Sequence, residues 1–476
     1  MNKGVSQRRW FPFAAAAVAF TAVGPVALGA LAGGQKPNFV FVLIDDLGWA
    51  DLGCYGSRFH ETPNVDALAA GGMRFTSGYA ACPVCSPTRA SIMTGKYPAR
   101  LGLTNYLIGR RMLPDSPILP APYRHELPLE EVTIAEALKG AGYATCHLGK
   151  WHLGGEAFYP EHQGFDLNIG GGQAGHPRSY FAPNSPVVGR RDGEYLPDRL
   201  AEEAVRFIEA NKDKPFFLYL SHYAVHIPIE APEQMIARYR AKPKPAGGQD
   251  NPIYGAMVES IDRSVGRVMK ALERLGIDDR TVTMFTSDNG GLSVREGPNT
   301  PATSNAPLRG GKGQLYEGGI REPWIVKWPG VVEPGSTCDV PVSSVDFFPT
   351  ILEIAGTGAV QTNGPIDGES IVPLLKQAGR VRREAIYWHY PHFSNQLGRP
   401  GGAVRQGDFK LIERYEDGTL ELYDLKGDMS ETRNLAAAMP DTAAELRRRL
   451  HEWGRSVNAN MPPPNPLYAA SRQPER

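Results

Sequence analysis

The chain has 476 residues, and its 51 lysine and arginine residues balance its 51 aspartate and glutamate residues, giving a formal net charge of +0. This balance excludes the basic footprint of a nucleic-acid-binding protein and the acidic composition of a solvating disordered tail. Five cysteines are too few for a disulfide scaffold, whereas 42% hydrophobic and 21% charged residues are ordinary for a packed globular protein.

Residues 1–32 are predicted to form a signal peptide. Arg8 and Arg9 precede an uncharged apolar run over residues 10–31, and Ala30-Leu31-Ala32 supplies the small residues of a cleavage site. The arginine pair favours a twin-arginine signal, with a Sec signal as the alternative. A membrane anchor is the competing interpretation, but glycine and proline within the run weaken such a helix. We therefore expect an exported protein, periplasmic or extracellular, with no stable membrane span after cleavage.

The next part of the chain alternates strand-like and helix-like segments. Apolar residues within 200–208 and 257–275 recur every three or four positions, as on one face of a helix, and residues 345–355 resemble a last helix. Four short apolar runs between these segments predict buried strands, at residues 39–44, 145–148, 216–220 and 282–285. This alternation predicts an α/β fold in which a large, mostly parallel or mixed sheet is sandwiched by helices. We assign this catalytic domain to residues 33–380.

The pattern changes after about residue 380. Three segments read as successive antiparallel strands, at residues 384–390, 403–414 and 419–425. Asp441 is predicted to cap a helix whose apolar residues are Ala444, Leu446, Leu450 and Trp453. We therefore predict a smaller C-terminal α+β subdomain of antiparallel strands and a helix over residues 381–460. The proline-rich residues 461–476 are predicted to be a disordered tail.

Polar side chains follow each of the four predicted strands. In chain order they are Asp45 and Asp46, Lys150 and His152, His222 and His226, and Asp288 and Asn289. In an open α/β sheet, ligands bind beyond the carboxyl ends of the strands. Any one pair could simply be a helix cap or a loop ligand, but four pairs together predict a functional site at this edge.

The residue types at this edge indicate a hard metal ion next to an anion. Four of them offer only oxygen ligands, which suit Ca²⁺ or Mg²⁺ better than Zn²⁺: Asp45, Asp46, Asp288 and Asn289. Taken alone, Asp45 and Asp46 fit an N-terminal helix cap equally well. Arg89, Lys150 and His152 could hold an oxyanion against the metal. The combination predicts phosphoryl or sulfuryl chemistry, in which charge neutralisation dominates.

A candidate nucleophile lies in the segment Cys82-Pro-Val-Cys85-Ser-Pro-Thr-Arg89. Pro87 suits the first turn of a helix, so Cys85 would sit just ahead of the helix N-terminus, where backbone N–H groups favour an anion. The same two cysteines also fit a C-x-x-C redox pair, and Cys85 fits a simple thiolate nucleophile.

The segment Cys85-Ser86-Pro87-Thr88-Arg89, followed by Thr94-Gly95-Lys96, resembles the signature of the formylglycine-dependent (type I) sulfatases of the alkaline phosphatase superfamily. The resemblance extends over nearly the whole mature chain, notably through Asp45-Asp46-Leu-Gly48, Gly149-Lys-Trp-His-Leu-Gly154, Ser287-Asp-Asn-Gly290 and Leu308-Arg-Gly-Gly-Lys312. It implies an alkaline-phosphatase-like fold and a sulfuric ester hydrolase similar to bacterial arylsulfatases and N-acetylgalactosamine sulfatases.

The resemblance also implies two cofactors. A separate formylglycine-generating enzyme would oxidise Cys85 to formylglycine (3-oxoalanine). One hydroxyl of its hydrate would attack sulfur and release the alcohol, and the second hydroxyl, once deprotonated, would collapse to the aldehyde and eject sulfate. A Ca²⁺ ion, for which Mg²⁺ is a less suitable substitute, would be held by Asp45, Asp46, modified Cys85, Asp288 and Asn289.

The catalytic roles implied by the resemblance fall on five further residues. Arg89 and Lys150 would steady the hydrate, and His152 would take the proton that triggers elimination of sulfate. His226 and Lys312 would bind the sulfate and help to protonate the leaving oxygen. Two features depart from the family pattern: Cys82 would block the modification if it formed a disulfide with Cys85, and His222 is an additional imidazole.

The substrate is expected to be a sulfated carbohydrate of the galactose or N-acetylgalactosamine type, with a simple aryl sulfate as the alternative. Five residues from regions rich in aromatic and hydrogen-bonding side chains are predicted to contact the substrate: His176, Arg178, His222, His389 and His392. Ordinary loop packing is an equally good interpretation of these regions. Three other functions stay open, namely a phosphonate monoester or phosphodiester hydrolase of the same superfamily, a redox protein, and a non-catalytic sulfoglycan-binding protein.

Overall fold

A computed structural model gives the structure of the chain and describes residue 1 and residues 36–107, 109, 115–187 and 191–470. The predicted signal peptide, apart from Met1, lies outside the described residues. From residue 36 onward the described chain forms one compact unit. Within the described ranges, no helix has the length and apolar character needed to span a bilayer.

The strands and helices of the described residues are numbered in chain order. Strands β1 to β13 are Asn38–Ile44, Met73–Tyr79, Ala144–Gly149, Leu167–Ile169, Phe216–Ser221, Thr281–Ser287, Arg321–Lys327, Ser336–Cys338, Val342–Ser343, Ala385–Tyr390, Gly401–Gln406, Phe409–Arg414 and Leu420–Asp424. Helices α1 to α12 are Pro63–Ala70, Cys85–Thr94, Pro98–Leu101, Ile134–Gly140, Leu196–Asn211, Glu233–Arg240, Pro252–Arg274, Glu317–Ile320, Phe347–Ala355, Val372–Leu375, Pro440–Ser456 and Pro466–Ala470.

The larger sheet contains nine strands in the order β4-β3-β5-β1-β6-β7-β2-β8, with β9 paired to β2. β1 lies between β5 and β6 and is parallel to both. β7 is antiparallel to its neighbours β6 and β2, so the sheet is mixed. All four predicted strands of this sheet are present as β1, β3, β5 and β6, which confirms the predicted α/β fold.

The two faces of β1 lead into two hydrophobic cores. Val40, Val42 and Ile44 pack with apolar side chains from α5 and α7, whereas Phe39, Phe41 and Leu43 pack with α2, α4 and α9. Successive side chains of a strand point to opposite faces, so a continuous apolar run is buried only if helices cover both sides. The periodic segments predicted as helices supply this cover as α5, α7 and α9.

The second sheet is antiparallel, with the order β10-β11-β12-β13. The single strand predicted over residues 403–414 is wrong, because Gly407, at φ 57°, allows a tight turn that divides it into β11 and β12. The cap predicted at Asp441 is also wrong: α11 begins at Pro440, so Asp441 lies in its first turn. The division of the chain near residue 380 stays a prediction.

Residues 461–465 differ from the predicted disordered tail. The backbone N–H of Leu119 donates to the carbonyl of Pro463 at 2.8 Å, and the Asn465 side chain donates to the carbonyl of Ser116 at 2.8 Å. Asn465 is buried, and α12 follows it. The backbone of Pro463 and Asn465 is therefore hydrogen-bonded to the loop at residues 116–119, as expected of an ordered segment.

A buried charged cluster joins the second sheet to the first. Lys410 Nζ, on β12, lies 2.9 Å from Glu317 Oε1 and 2.9 Å from Glu431 Oε1. The other carboxylate oxygen of Glu431 accepts the backbone N–H of Glu317 at 2.7 Å. Buried charges are tolerated only when they are paired and hydrogen-bonded, so this cluster fixes α8 against the second sheet.

Candidate active site

The carboxyl ends of the parallel strands place the predicted polar residues at one edge of the larger sheet. Asp45 and Asp46 follow β1, Lys150 follows β3, and Asp288 and Asn289 follow β6. All five side chains are buried. Parallel neighbours end on the same side, so these groups converge although Asp46 and Asp288 are 242 residues apart in the chain.

Three other chain segments meet at the side chain of Asp46. Its Oδ1 accepts Asn289 Nδ2 at 2.7 Å, and its Oδ2 accepts Lys312 Nζ at 2.8 Å. His226 Nε2 lies 3.6 Å from the same Oδ2. Asp46 has a φ of 60°, a left-handed conformation that costs free energy for a non-glycine residue and persists only where its surroundings enforce it.

Arg89, on α2, links the helix to the strand ends through its side-chain contacts. Two nitrogens of its guanidinium contact Asp288 Oδ2, Nε at 2.8 Å and NH2 at 2.7 Å. Its NH1 donates to the Lys150 carbonyl at 2.9 Å and to Ser221 Oγ at 2.7 Å. Burial opposes the charge, but the carboxylates of Asp288 and Asp45 raise the pKa of Arg89, which stays cationic.

Cys85 is the first residue of α2 and is buried, whereas Pro87 predicted that it would lie just ahead of the helix, whose N-cap is Val84. Its Sγ lies 3.3 Å from Nδ1 of His152. Burial raises the pKa of the Cys85 thiol, which disfavours the thiolate that a simple cysteine nucleophile needs. All five cysteines are free, so Cys82 does not bond to Cys85.

His152 is held as a neutral imidazole next to Cys85. Burial, reinforced by the charges of Lys150 and Arg89, lowers its pKa well below the ordinary value. The residue has a φ of 58°, and a Cβ on Gly175 would lie 2.6 Å from its ring. His152 is therefore positioned to accept a proton from whatever group occupies the end of the Cys85 side chain.

The acidic cluster fits a divalent cation. Burial and the neighbouring Asp288 raise the pKa of Asp45 to about 8, whereas Lys312 and His226 outweigh burial and lower the pKa of Asp46 to about 2. Oδ1 of Asp45 and Oδ1 of Asn289 are buried without a hydrogen-bond partner. Possible ligand atoms of Asp45, Asp46 and His226 lie within 4.8 Å of one another. Unsatisfied buried oxygens beside repelling carboxylates are what a hard cation would stabilise.

A cleft of about 880 Å³ opens above Cys85, His152, His226 and Lys312. It is large enough for a drug-sized or monosaccharide-sized ligand. Its other lining residues come from loops that follow several strands and from the segment between β10 and β11: Tyr106, Leu107, Tyr159, residues 170–176, Pro186, Tyr223, Ile227, Glu296 and Gln396.

The predicted substrate residues are placed unequally. His176 lines the cleft, and its ring stacks on that of His226 with centroids 5.9 Å apart. Arg178 is exposed and is not among the lining residues.

The structure does not bring the other three predicted substrate residues to the cleft. His222 faces the interior, with Nε2 3.0 Å from Ser264 Oγ of α7. Both ring nitrogens of His389 are occupied, by Tyr415 and by Asn460, and His392 contacts Thr104. All three histidines are buried, and one ring nitrogen each of His222 and His392 has no hydrogen-bond partner among the described residues. His389 lies on the face of β10 opposite to Trp388 and Tyr390, which pack towards the larger sheet.

Sequence reasoning missed several lining residues, including Tyr106, Tyr159, Glu296 and Gln396. They lie in separate loops outside the family motifs, so only tertiary structure brings them together. The single signal in the sequence is the frequency of aromatic and polar residues in long loops, which is too common to identify a site.

Comparisons with known proteins agree with this geometry. The family profile of the sulfatases matches residues 37–357. A second profile, described as N-sulphoglucosamine sulphohydrolase, C-terminal, matches residues 311–456. The chain is 34% identical over 478 residues to arylsulfatase A of Homo sapiens, covering 89% of this chain and 88% of that protein. It is 37% identical over 394 residues to N-acetylgalactosamine-6-sulfatase of Rattus norvegicus, covering 76% of this chain and 70% of that protein. The crystal structure of Ps i-CgsB in complex with k-i-k-neocarrahexaose is similar at a TM-score of 0.75 and 30% identity, covering 88% of this chain and 93% of that chain.

Proposed function

This chain belongs to the sulfatase family and is a sulfuric ester hydrolase, and we propose that it desulfates a carbohydrate with formylglycine made from Cys85 and a bound Ca²⁺. The observation that carries the proposal is the position of Cys85. Its buried side chain begins a helix, faces the neutral imidazole of His152, and opens into the 880 Å³ cleft.

Formylglycine supplies a hydrated aldehyde, which provides a nucleophilic hydroxyl and a second hydroxyl for releasing sulfate. The side chains around residue 85 suit a formylglycine hydrate better than they suit a thiol nucleophile. Burial raises the pKa of the Cys85 thiol, which disfavours the thiolate. A plain thiol or hydroxyl would also lack the second hydroxyl through which a formylglycine hydrate releases sulfate. His152 Nδ1, 3.3 Å from the Cys85 side chain, is in place to take a proton from an oxygen there.

The charges around the cleft support binding of both a divalent ion and a sulfate ester. Three buried carboxylates face three buried cations, in the pairs Asp45 with Lys150, Asp46 with Lys312 and Asp288 with Arg89. Asp45, Asp46, Asp288 and Asn289 would hold Ca²⁺, which supplies positive charge to polarise the ester. Carboxylates engaged by an ion would leave Lys150 and Lys312 free to bind sulfate oxygens.

His226 and Lys312 are the groups placed to act on the leaving oxygen. Asp46 raises the pKa of Lys312 against the effect of burial, so its ammonium retains its proton. His226 Nδ1 lies 2.9 Å from the Ile227 carbonyl, and donation there leaves Nε2 directed towards Asp46 and the cleft. An anionic ester beside Nε2 would favour the imidazolium, which can donate a proton to the departing alcohol.

A carbohydrate is the substrate class that the cleft supports best. Tyr106, Tyr159 and Tyr223 bring aromatic rings to a cleft that is also lined by polar side chains such as Glu296 and Gln396, a combination suited to a sugar ring. One relative is named N-acetylgalactosamine-6-sulfatase, and one similar structure holds a neocarrahexaose. We propose a galactose-type or N-acetylgalactosamine-type sulfate. A signal peptide over residues 1–32 and export of the protein remain part of the proposal.

Co-expression with a formylglycine-generating enzyme tests the proposal. Mass spectrometry of the peptide that contains Cys85 should show conversion to formylglycine, and sulfate release should scale with the converted fraction. Sulfate and phosphate esters of one sugar alcohol should then differ, with the sulfate ester hydrolysed faster. Equal turnover by unconverted thiol protein would contradict the proposed nucleophile, and faster phosphate hydrolysis would favour a phosphonate or phosphodiester hydrolase.

Gly175→Ala should lower kcat without preventing formation of formylglycine. The new Cβ would lie 2.6 Å from the His152 ring and would push the imidazole away from residue 85. A displacement of this kind costs about ten- to a hundredfold in rate. Gly155→Ala is the matched control, because a Cβ there meets nothing within 4 Å. An unchanged kcat in Gly175→Ala would show that the position of His152 does not matter.

A further inference from the structure

We propose that Glu296 and Gln396 form a subsite that binds the hydroxyl groups of an uncharged sugar ring and excludes a second anionic group from it. The inference rests on the proposed function and specifies which sulfated sugars the cleft accepts. Both residues line the cleft, Glu296 from the loop after β6 and Gln396 from the segment between β10 and β11.

The first step is the fixed position of the Glu296 carboxylate. Its Oε2 accepts Gln396 Nε2 at 2.6 Å, and its Oε1 accepts the side-chain amide of Asn395. The backbone N–H of Glu296 donates to Thr300 Oγ1 at 2.8 Å, which holds the loop. A carboxylate with two amide donors is oriented by its protein contacts before any ligand arrives.

The second step is the unsatisfied acceptor on Gln396. The contact with Glu296 requires an N–H donor, so the Gln396 amide is oriented with Nε2 towards the carboxylate and Oε1 away from it. That Oε1 has no hydrogen-bond partner among the described residues and is buried on the side of Gly313, where a Cβ would lie 3.2 Å from it. A buried amide oxygen without a partner is costly, and turning it from Gly313 towards a ligand hydroxyl in the cleft that Gln396 lines would satisfy it.

The third step is the location of the subsite next to the reacting centre. A Cβ on Gly313 would lie 3.0 Å from the Gln396 Cβ, so Gln396 packs against the residue next to Lys312. Tyr106, whose hydroxyl lies 3.4 Å from Asn395 Oδ1, lines the cleft together with Cys85. The subsite therefore lies beside the group proposed to bind the sulfate, where the ring bearing the ester would be.

The chemistry of the subsite follows from its inventory of donors and acceptors. Each Glu296 oxygen accepts one amide and retains lone-pair capacity, and Gln396 Oε1 adds another acceptor. Among the described residues that form it, the subsite offers acceptors and a negative charge but no free cation. Hydroxyl groups can donate to it, whereas a second sulfate or a uronate carboxylate on the same ring would be repelled and left unpaired.

Matched substrates on one scaffold test this inference. The probes are galactose monosulfates and their disulfated counterparts as 4-methylumbelliferyl glycosides, with 4-nitrophenyl sulfate as a probe that lacks ring hydroxyls. Wild-type protein with confirmed formylglycine should prefer one monosulfate over its disulfate by about tenfold or more in kcat/KM.

Glu296→Gln should lower kcat/KM for that monosulfate by about ten- to a hundredfold, mainly through KM, and should narrow the preference over the disulfate. Gln396→Met, which keeps the side-chain length but removes the amide, should weaken monosulfate binding in the same direction. Glu333→Gln, an exposed position outside the cleft, is the matched control and should behave as wild type.

The possible outcomes distinguish failure of the proposed subsite from failure of the proposed sulfatase function. Turnover of 4-nitrophenyl sulfate with an unchanged preference in both folded variants would overturn the subsite and leave the sulfatase function standing. Hydrolysis of the aryl sulfate alone would also overturn it. No hydrolysis of any sulfate ester by protein carrying formylglycine would instead overturn the proposed function.

Discussion

Cys85→Ala should abolish sulfate release, lowering kcat by on the order of 10⁵-fold or more, because the substitution removes the nucleophile and its precursor. The side chain begins α2, and no other described side chain occupies its position opposite His152 at 3.3 Å. The small alanine fits the buried position, so the fold should persist and the loss should be chemical. Cys338→Ser, a half-buried cysteine outside the cleft, is the matched control and should keep wild-type turnover.

Cys85→Ser distinguishes formylglycine from an ordinary nucleophile. A serine hydroxyl can attack sulfur once but has no second hydroxyl through which to expel sulfate, so the protein should stall as a sulfated serine. Intact-protein mass spectrometry after incubation with substrate should then show either no addition or one sulfate, without sustained turnover. Multiple turnovers by the serine variant at the wild-type rate would contradict the proposed mechanism.

Asp288→Asn should lose bound Ca²⁺ and lower kcat by on the order of 10³-fold or more. The substitution keeps the shape of the side chain but removes a charge that faces both the proposed ion and Arg89, whose contacts with Asp288 measure 2.7 and 2.8 Å. Elemental analysis of purified protein should show one Ca²⁺ per wild-type chain and close to none in the variant. Excess Ca²⁺ should restore part of the activity if affinity alone is reduced.

Two further variants keep the metal prediction testable. Loss of the Asp288 charge removes the nearest carboxylate from Arg89 and leaves only Asp45, 3.9 Å away, to balance its charge. A buried charge that is poorly paired destabilises a fold. Asn289→Ala removes a proposed ligand without changing any charge, and it should also lower the Ca²⁺ content. Asp278→Asn is the control and should retain the ion. The Asp278 carboxylate lies outside the cleft and pairs with Lys327 Nζ at 2.8 Å. Full Ca²⁺ content in both Asp288→Asn and Asn289→Ala would show that the metal assignment is wrong.

The strands that carry the acids were predictable because a short, continuous apolar run is typical of a strand that helices cover on both faces. β7 was not predicted, since Pro323 interrupts its sequence and proline is unusual inside a sheet. The hairpin β11–β12 was merged into one strand because its turn has only two residues, of which Gly407 alone is a signal.

The site residues also fall into those that could be predicted from the sequence and those that could not. Asp45, Asp46, Asp288 and Asn289 could be brought together from sequence because parallel topology forces their strand ends to one edge. The directions of the His389 side chain, on β10, and of the His392 side chain, beyond the end of β10, could not be predicted, since the sequence does not show which way either side chain points. Glu296 and Gln396 were beyond reach for a different reason, because their contact joins two loops about 100 residues apart.

The packing of Gly313 against the segment that contains Gln396 has a consequence for engineering the enzyme. The same stretch of chain supplies the substrate-side amide and supports the loop that presents Lys312, whose neighbour Gly313 also donates its N–H to the Pro83 carbonyl at 2.7 Å, two residues before Cys85. Grafting a different β10–β11 connection to redirect the enzyme towards another glycan would therefore disturb the reacting centre as well. Retargeting is expected to succeed only when the grafted connection and the Lys312 loop are exchanged together.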